Sequence, residues 1–588
     1  MNAARTDLDT ECDVAVIGPG LGACVLAAAL ARGGLRTVLI GGPRTAPPFG
    51  EMLGRYAALL LEVIAERYGV PELTRLTLFD EANEVTGGAC GAERCHGFVY
   101  HREGQAQNPA ELTQLSPPRG VPPEPLLARP EADDYLWRVA VGHGAVPLRG
   151  EGAAVVAADT GGEGPSVTLA GGGRVRARFL VDASGRESVL AARVRAREEP
   201  ARLVSRTRTI ATRFTGVRDL AQAAGQPRAY KMPVPWGQGS TQHLFDGGYL
   251  WVFPFGNHPG ARNRTTSVGL TLDADRFPER EPPQREFAAF LRRFPTLAAM
   301  FADAEPVQPW TSTGRQQYSS AVTAGDGWCL IGEAAGYVDP FLNRSLISTL
   351  EGVNALAWRL LAAGRDGDFS ARRFTAVDRI NQQVLAENDA LVSMVLAATR
   401  DHALWKAVLL VLEAGLRYGQ FPAQIALGTL RAGGGDGELR RLEEVPYFGS
   451  PFPGHEGYHR LFTAAAAQCA EVRSGHADPV AAAERIVAAL READFVPRFF
   501  GLSDPQRRVL RLNPVILLRM LLWARRSAPP DIGPLVRTAV ATLARERRES
   551  KRRARRGRQA ATQRGQQAEQ RAGDAQREAG KQTHREGV

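Results

Sequence analysis

The first regular pattern in the chain is a short unbroken apolar run, Val14-Ala15-Val16-Ile17, entered from Asp13. A run of that length without polar alternation predicts a buried strand. It leads into GPGLGA (18–23), and the apolar stretch CVLAAALAR that follows predicts a helix, stopped by Gly33-Gly34. LRTVLI (35–40) is a second strand. GGGRVRARFLVDASGRES (171–188) reads as a strand pair, and DGWCLIGEAAGYVDPF (326–341) as a strand, a turn and a helix start. Between them RTRTIATRFTGV (206–217), GGYLWVFPFG (247–256) and NRTTSVGLTLDA (263–274) alternate like antiparallel strands. From about residue 345 the period becomes helical, as in LVSMVLAATRDHALWKAVLLVLEAGLRYG (391–419) and PVAAAERIVAALREADF (479–495).

The pattern predicts an α/β chain of several units. Residues 10–190 and 325–360 form a Rossmann-like nucleotide-binding domain, 191–324 a β-rich substrate domain, 361–544 a helical C-terminal domain, and 545–588 a basic tail. A length of 588 residues suits such a division. An apolar content of 44% with 23% charged residues is ordinary globular chemistry. Six cysteines, with no CxxC pair, predict neither a disulfide framework nor a zinc knuckle and point to a reducing cytoplasm. The polar, acidic N-terminus is no signal peptide, and no apolar run is long enough to span a membrane. NPVILLRMLLWARRSAPP (513–530) reads as a core or lid helix rather than a membrane contact.

The net charge of +10 changes the picture less than it suggests. Residues 545–588 carry 14 Lys and Arg against 6 Asp and Glu, which leaves a balance of only +2 for the rest. The tail lacks the apolar residues needed to order itself, and KRRARRGR (551–558) has no aromatic residue for base stacking. No nucleic-acid partner is expected.

Candidate chemistry gathers at the glycine turn. Gly18, Gly20 and Ala23 fill the G-x-G-x-x-G/A positions, with Gly22 in the same loop. Gly18 permits the tight turn, Gly20 lets the backbone approach a pyrophosphate, and Ala23 keeps helix and strand close. The second strand ends in Gly41-Gly42, where such units present an acidic side chain to a ribose. HEGYH (455–459) matches a zinc-protease signature, but Gly457 and the preceding GSPFPG place it in a loop or at a frayed helix start, so no metal is expected.

With PFGEML (48–53), FLVDASG (179–185), YLWVFP (249–254) and IGEAAGYVDPF (331–341) added in that order, the chain resembles FAD-dependent monooxygenases of the para-hydroxybenzoate-hydroxylase type. Within them it is similar to the flavin-dependent halogenases, across roughly residues 10–500. The resemblance implies FAD as cofactor, with Gly18, Gly20, Gly22, Ala23, Gly50, Glu51, Asp182, Gly185, Gly332, Glu333, Asp339 and Pro340 as its binding residues. It also implies dioxygen chemistry on an aromatic or polyketide substrate and a separate flavin reductase.

Five places depart from the family pattern. Gly41 replaces the ribose carboxylate, and Glu333 stands where the family has aspartate. In GAERCHGFVYH (91–101) the register puts Glu93, with Arg94 beside it, where halogenases carry a lysine; the chain's lysines are Lys231, Lys406, Lys551 and Lys581. The WxWxIP segment keeps only Trp251 and Pro254, and the turn after Asp339-Pro340 has lost its glycine. Glu93, Arg94 and Trp251 are the candidate catalytic residues, with His96 beside them. Halogenation and hydroxylation both stay open, as do a geranylgeranyl-reductase-like flavin reductase and a flavoprotein fold that has lost FAD.

Overall fold

The computed structural model describes residues 9–43, 49–118, 120–162, 164–511, 513–545 and 548. The basic KRRARRGR segment lies outside them. Among the described residues, no helix is long and apolar enough to cross a membrane.

The first sheet is built around β1 (Asp9–Ile17). It pairs in parallel with β2 (Thr37–Gly41) on one side and with Arg174–Asp182 on the other. Trp328–Leu330 extends the sheet beyond Arg174–Asp182, and Val146–Arg149 extends it beyond β2, both in parallel. Helix α1 (Leu21–Arg32) crosses from β1 to β2 as the glycine turn predicts, and its residues 21–30 are buried. The approach is close. A Cβ on Gly22 would lie 2.4 Å from Thr349 Cγ2, and one on Gly33 would lie 2.3 Å from Leu361, both residues of the helix Arg344–Asp366.

The second sheet contains the predicted antiparallel strands Thr207–Thr215, Gly248–Pro254 and Thr266–Asp273, with Ser240–Phe245 beside them. Here the boundaries drawn from sequence need correction. His96–Tyr100 and Leu112–Ser116, assigned to the nucleotide-binding unit, continue this sheet, and Val509–Arg511 from the C-terminal region closes its edge. His96–Tyr100 runs parallel to Ser240–Phe245, a long-range pairing that local periodicity does not encode. Gly97 lets it fit, because a Cβ there would lie 2.5 Å from the Trp236 ring.

The apolar stretch 391–419 is two helices rather than one. Ala371–Ala398 ends, and Asp401 caps His402–Gly419 by accepting a hydrogen bond from the Ala403 N–H at 2.7 Å. These helices, with Glu456–Arg473 and Pro479–Glu492, share one apolar core with the sheet face carrying Phe98, Tyr249 and Trp251.

Two buried positions constrain stability. Gly41 ends β2 against the Trp137 ring, and a Cβ there would lie 2.7 Å from Trp137 Cζ3 and 3.3 Å from Pro19 Cβ. Trp137 therefore fills the space a ribose-binding carboxylate would need. Lys406 is 2% exposed and donates to Thr113 Oγ1 at 2.8 Å and to the Arg507 carbonyl at 2.7 Å. Burial pushes its ammonium down to about 8.

The Gly41→Asp variant is expected to lose about 1–3 kcal/mol in urea unfolding through overpacking; unchanged stability would mean that the Trp137 ring yields. For Lys406 the unfolded chain holds its proton up to the ordinary lysine value of 10.5, whereas the folded chain releases it near 8. Between these values the unfolded state binds more protons, so wild-type stability relative to Lys406→Met rises with pH. Parallel stability curves for the two proteins across that interval would refute it.

Candidate active site

At the glycine turn the three small residues have three different surroundings. Gly18 has φ +132°, and a Cβ on it would lie 2.6 Å from the Ala183 carbonyl oxygen. Gly20 is extended, and a Cβ there would meet nothing within 4 Å among the described residues. Ala23 is fully buried against the sheet. Helix α1 has no side-chain cap, so its first-turn N–H groups stay available beside the open space at Gly20. That cradle fits a diphosphate.

Asp182 is buried, and its carboxylate accepts from Ser184 N (2.8 Å), Ser184 Oγ (2.6 Å) and Ser188 Oγ (2.7 Å). It shapes the turn through Gly185, which has φ +96°, rather than offering free oxygens. Gly50 has φ +89°, and a Cβ there would lie 3.0 Å from Asn343 Oδ1. Glu51 points inward, accepting from Ser267 Oγ at 2.8 Å and from Gly50 N at 3.0 Å, with Arg213 3.6 Å away. Gly332 has φ +57°. Glu333 is exposed at its surface, yet protein atoms gathered around its carboxyl desolvate it. That desolvation raises its carboxyl, while Arg129 and a hydrogen bond from Ser345 act the other way. Arg129 was missed in the sequence. It starts the helix Arg129–Gly142 and donates to the Phe49 carbonyl at 2.8 Å, which places a cation between the Gly50-Glu51 loop and Glu333. An arginine opening an amphipathic helix after a short strand was the available signal.

Asp339 is 2% exposed and joins the two sheets' ends. It accepts from Thr207 Oγ1 (2.6 Å), Phe341 N (2.9 Å), Gln316 Nε2 (3.1 Å) and the Tyr249 hydroxyl. Burial raises its carboxyl, and those donors oppose the rise. After Pro340 the turn adopts left-handed geometry without glycine, at Leu342 (φ 50°) and Asn343 (φ 50°). Asn343 is fixed by donating to the Met52 carbonyl. Arg344 is buried and donates to Asn388 Oδ1 at 2.8 Å and to the Gly449 carbonyl.

The Gly50-Glu51 loop, Pro340, Asn343 and the Trp251 strand converge on one cleft. Trp251 is packed between Phe49 and Phe253, and Gly269 opposite leaves room for it, since a Cβ there would lie 2.0 Å from the indole. Trp251 Nε1 and Gln242 Oε1 are buried and have no hydrogen-bond partner among the described residues. Glu93 is buried near this wall, whereas Arg94 requires correction as a candidate. It lies in the bend between the strands Gly91–Glu93 and His96–Tyr100, where it is exposed. Lys231 is exposed, and the Lys406 ammonium is committed to Thr113 and Arg507, so neither occupies the expected lysine position.

HEGYH forms the start of the helix Glu456–Arg473. His455 Nδ1 accepts from Tyr458 N at 2.9 Å and its Nε2 lies 3.1 Å from Asp531, while His459 stacks on Tyr447 at 3.5 Å. Both His455 nitrogens are thus engaged by protein.

No family model matches the chain. Individual proteins do. It is 34% identical over 533 residues to the tetracycline 7-halogenase of Kitasatospora aureofaciens, covering 90% of this chain and 95% of that one. It is 35% identical over 535 residues to the monodechloroaminopyrrolnitrin halogenase PrnC of Pseudomonas fluorescens, covering 88% and 93%. Among solved structures, halogenase PltM in complex with phloroglucinol and FAD superposes with a TM-score of 0.81 at 26% identity, covering 85% of this chain and all of that one. FAD is accordingly this chain's cofactor. The geranylgeranyl-reductase reading and the FAD-free reading give way. With such identity across nine-tenths of its length, the chain belongs to the flavin-dependent halogenase family.

Proposed function

We propose that the protein halogenates an electron-rich phenolic ring, using FAD delivered in reduced form by a separate reductase. The observation that supports this reading best is the single cleft shared by the Gly50-Glu51 loop, the Pro340–Asn343 turn and Trp251. When bound, reduced FAD and dioxygen supply the oxidising power for halide oxidation. The chain's residues divide the remaining work. The α1 N-terminus and Gly20 hold the diphosphate, with Arg129 and Glu333 beside it. Glu51 and Asp339 hold their loops in place through hydrogen bonds to the second sheet. Trp251, Phe49 and Phe253 exclude water from the substrate side. A phenol suits the lining, which combines aromatic faces with unpartnered polar atoms on Gln242 and Trp251. Phloroglucinol, the phenol bound by the PltM halogenase, is a suitable first substrate.

Purified protein supplied with a flavin reductase, NADH, bromide and phloroglucinol should yield a product with the bromine isotope pattern in mass spectrometry. A purely hydroxylated product would assign the chain to oxygen transfer instead. Gly20→Val should fold with wild-type stability, because no described residue meets a Cβ there, yet lose at least tenfold in FAD affinity. Unchanged FAD binding in that variant would refute the placement of the diphosphate.

A further inference from the structure

His96 opens the strand His96–Tyr100 and pairs in register with Ser240. Ser240 Oγ donates to Glu93 Oε1 at 2.6 Å, and Ser240 N donates to Glu93 Oε2 at 3.0 Å. His96 Nδ1 lies 2.6 Å from the same Oγ. A serine hydroxyl has one proton, and Glu93 receives it. The His96 contact is therefore an Nδ1–H donating to the Oγ lone pair, which fixes the tautomer and leaves Nε2 as a bare acceptor. Nε2 is buried and has no hydrogen-bond partner among the described residues.

The location matters as much as the chemistry. Side chains two residues apart on a strand share a face. Ser240 and Gln242 therefore face the same side, as do His96 and Phe98, and Gln242 pairs with both Phe98 and Trp251. That face carries the cleft-lining Gln242 and Trp251. Three orphaned polar atoms consequently lie along it: His96 Nε2, Gln242 Oε1 and Trp251 Nε1.

Resting on the halogenation reading, we propose that His96 Nε2 is the general base that takes the phenolic proton of the substrate, with Ser240 and Glu93 as positioning residues. The O–H bond breaks to Nε2 and its electron pair stays on the phenolate, which raises the nucleophilicity of the ring. A ring carbon then attacks the halogen of hypohalous acid, the oxidant that the flavin reaction supplies. The new C–X bond forms as the O–X bond breaks, and the departing hydroxide leaves as water with the displaced ring proton. The imidazolium is stabilised by Glu93, whose Oε1 lies 3.5 Å from Nδ1. Glu124 and Glu413 also face His96; burial raises both, and Arg55 and Arg417 lie 4.0 and 3.7 Å from them. Glu93 is thus the nearest of the three carboxylates that influence the ring.

Nitrogen NMR of histidine-labelled protein tests the assignment without substrate or flavin. The signals lost in His96→Gln should belong to an Nδ1–H tautomer, which Ser240→Ala should release. An Nε2–H tautomer in the wild type would overturn the proposal. In turnover, His96→Gln should keep wild-type FAD affinity and thermal stability while kcat falls roughly 100-fold. Glu93→Gln should shift the pH profile of kcat/KM and leave KM for phloroglucinol near wild type. An unchanged rate and pH profile in His96→Gln would also overturn it. Failure of the wild type to bind FAD or form halogenated product would instead strike the proposed function, with the NMR result still deciding the tautomer.

Discussion

Much of this molecule depends on one buried carboxylate. Asp339 sits in the turn that ends the nucleotide-binding unit, yet its hydrogen-bond donors come chiefly from the other sheet: Thr207 from one strand and Tyr249 from another. Gln316 and the Phe341 amide complete the set. A buried carboxylate without donors would be costly, and one surrounded by them ties its elements together. Here the elements are the strand bearing Trp251, through Tyr249, and the turn bearing Pro340 and Asn343. Those are two of the three walls of the cleft. The third wall, the loop at Gly50, is attached in turn by Asn343 donating to Met52.

This arrangement also accounts for an expensive backbone. Leu342 and Asn343 both occupy left-handed geometry that glycine would adopt more readily. Such conformations persist where the surroundings over-determine them. Asp339 holds the turn on one side, Phe341 packs on Tyr249 at 5.3 Å and on Trp405 at 6.1 Å, and Arg344 is bound to Asn388 and Gly449 on the other side. The missing glycine is thus a real departure in sequence and a small one in backbone shape.

Legibility followed the range of the interactions. The turn at Gly18–Ala23 was readable because strand, glycines and helix are contiguous and each glycine answers a local steric need. The three central strands of the second sheet were readable from their alternation. What escaped was long-range. The pairing of His96–Tyr100 with Ser240–Phe245 joins segments 144 residues apart at the His96–Ser240 contact, and nothing in GFVYH names its partner. Gly41 looked like the loss of a ligand and is a packing requirement of Trp137, on a helix almost a hundred residues later. Arg129 was inconspicuous because its importance depends on where Phe49 and Glu333 lie. Arg94 drew attention by adjacency to Glu93, but the strand ends at Glu93 and the bend that follows leaves Arg94 exposed.

Glu93 changes more than the identity of one residue. A lysine at that place is a cation or a nucleophilic amine, able to attract an oxidised halogen. A carboxylate hydrogen-bonded to Ser240 does neither, and its negative charge favours positive charge nearby. The same position in the fold is then suited to receiving a proton rather than handling the halogen. Electrophilic substitution can be promoted from either partner: the electrophile can be sharpened or the ring made richer in electrons. On the proposal made above, replacing an amine by an acid–serine–histidine chain would move the protein's contribution towards the ring, which in turn would favour substrates that carry an ionisable hydroxyl.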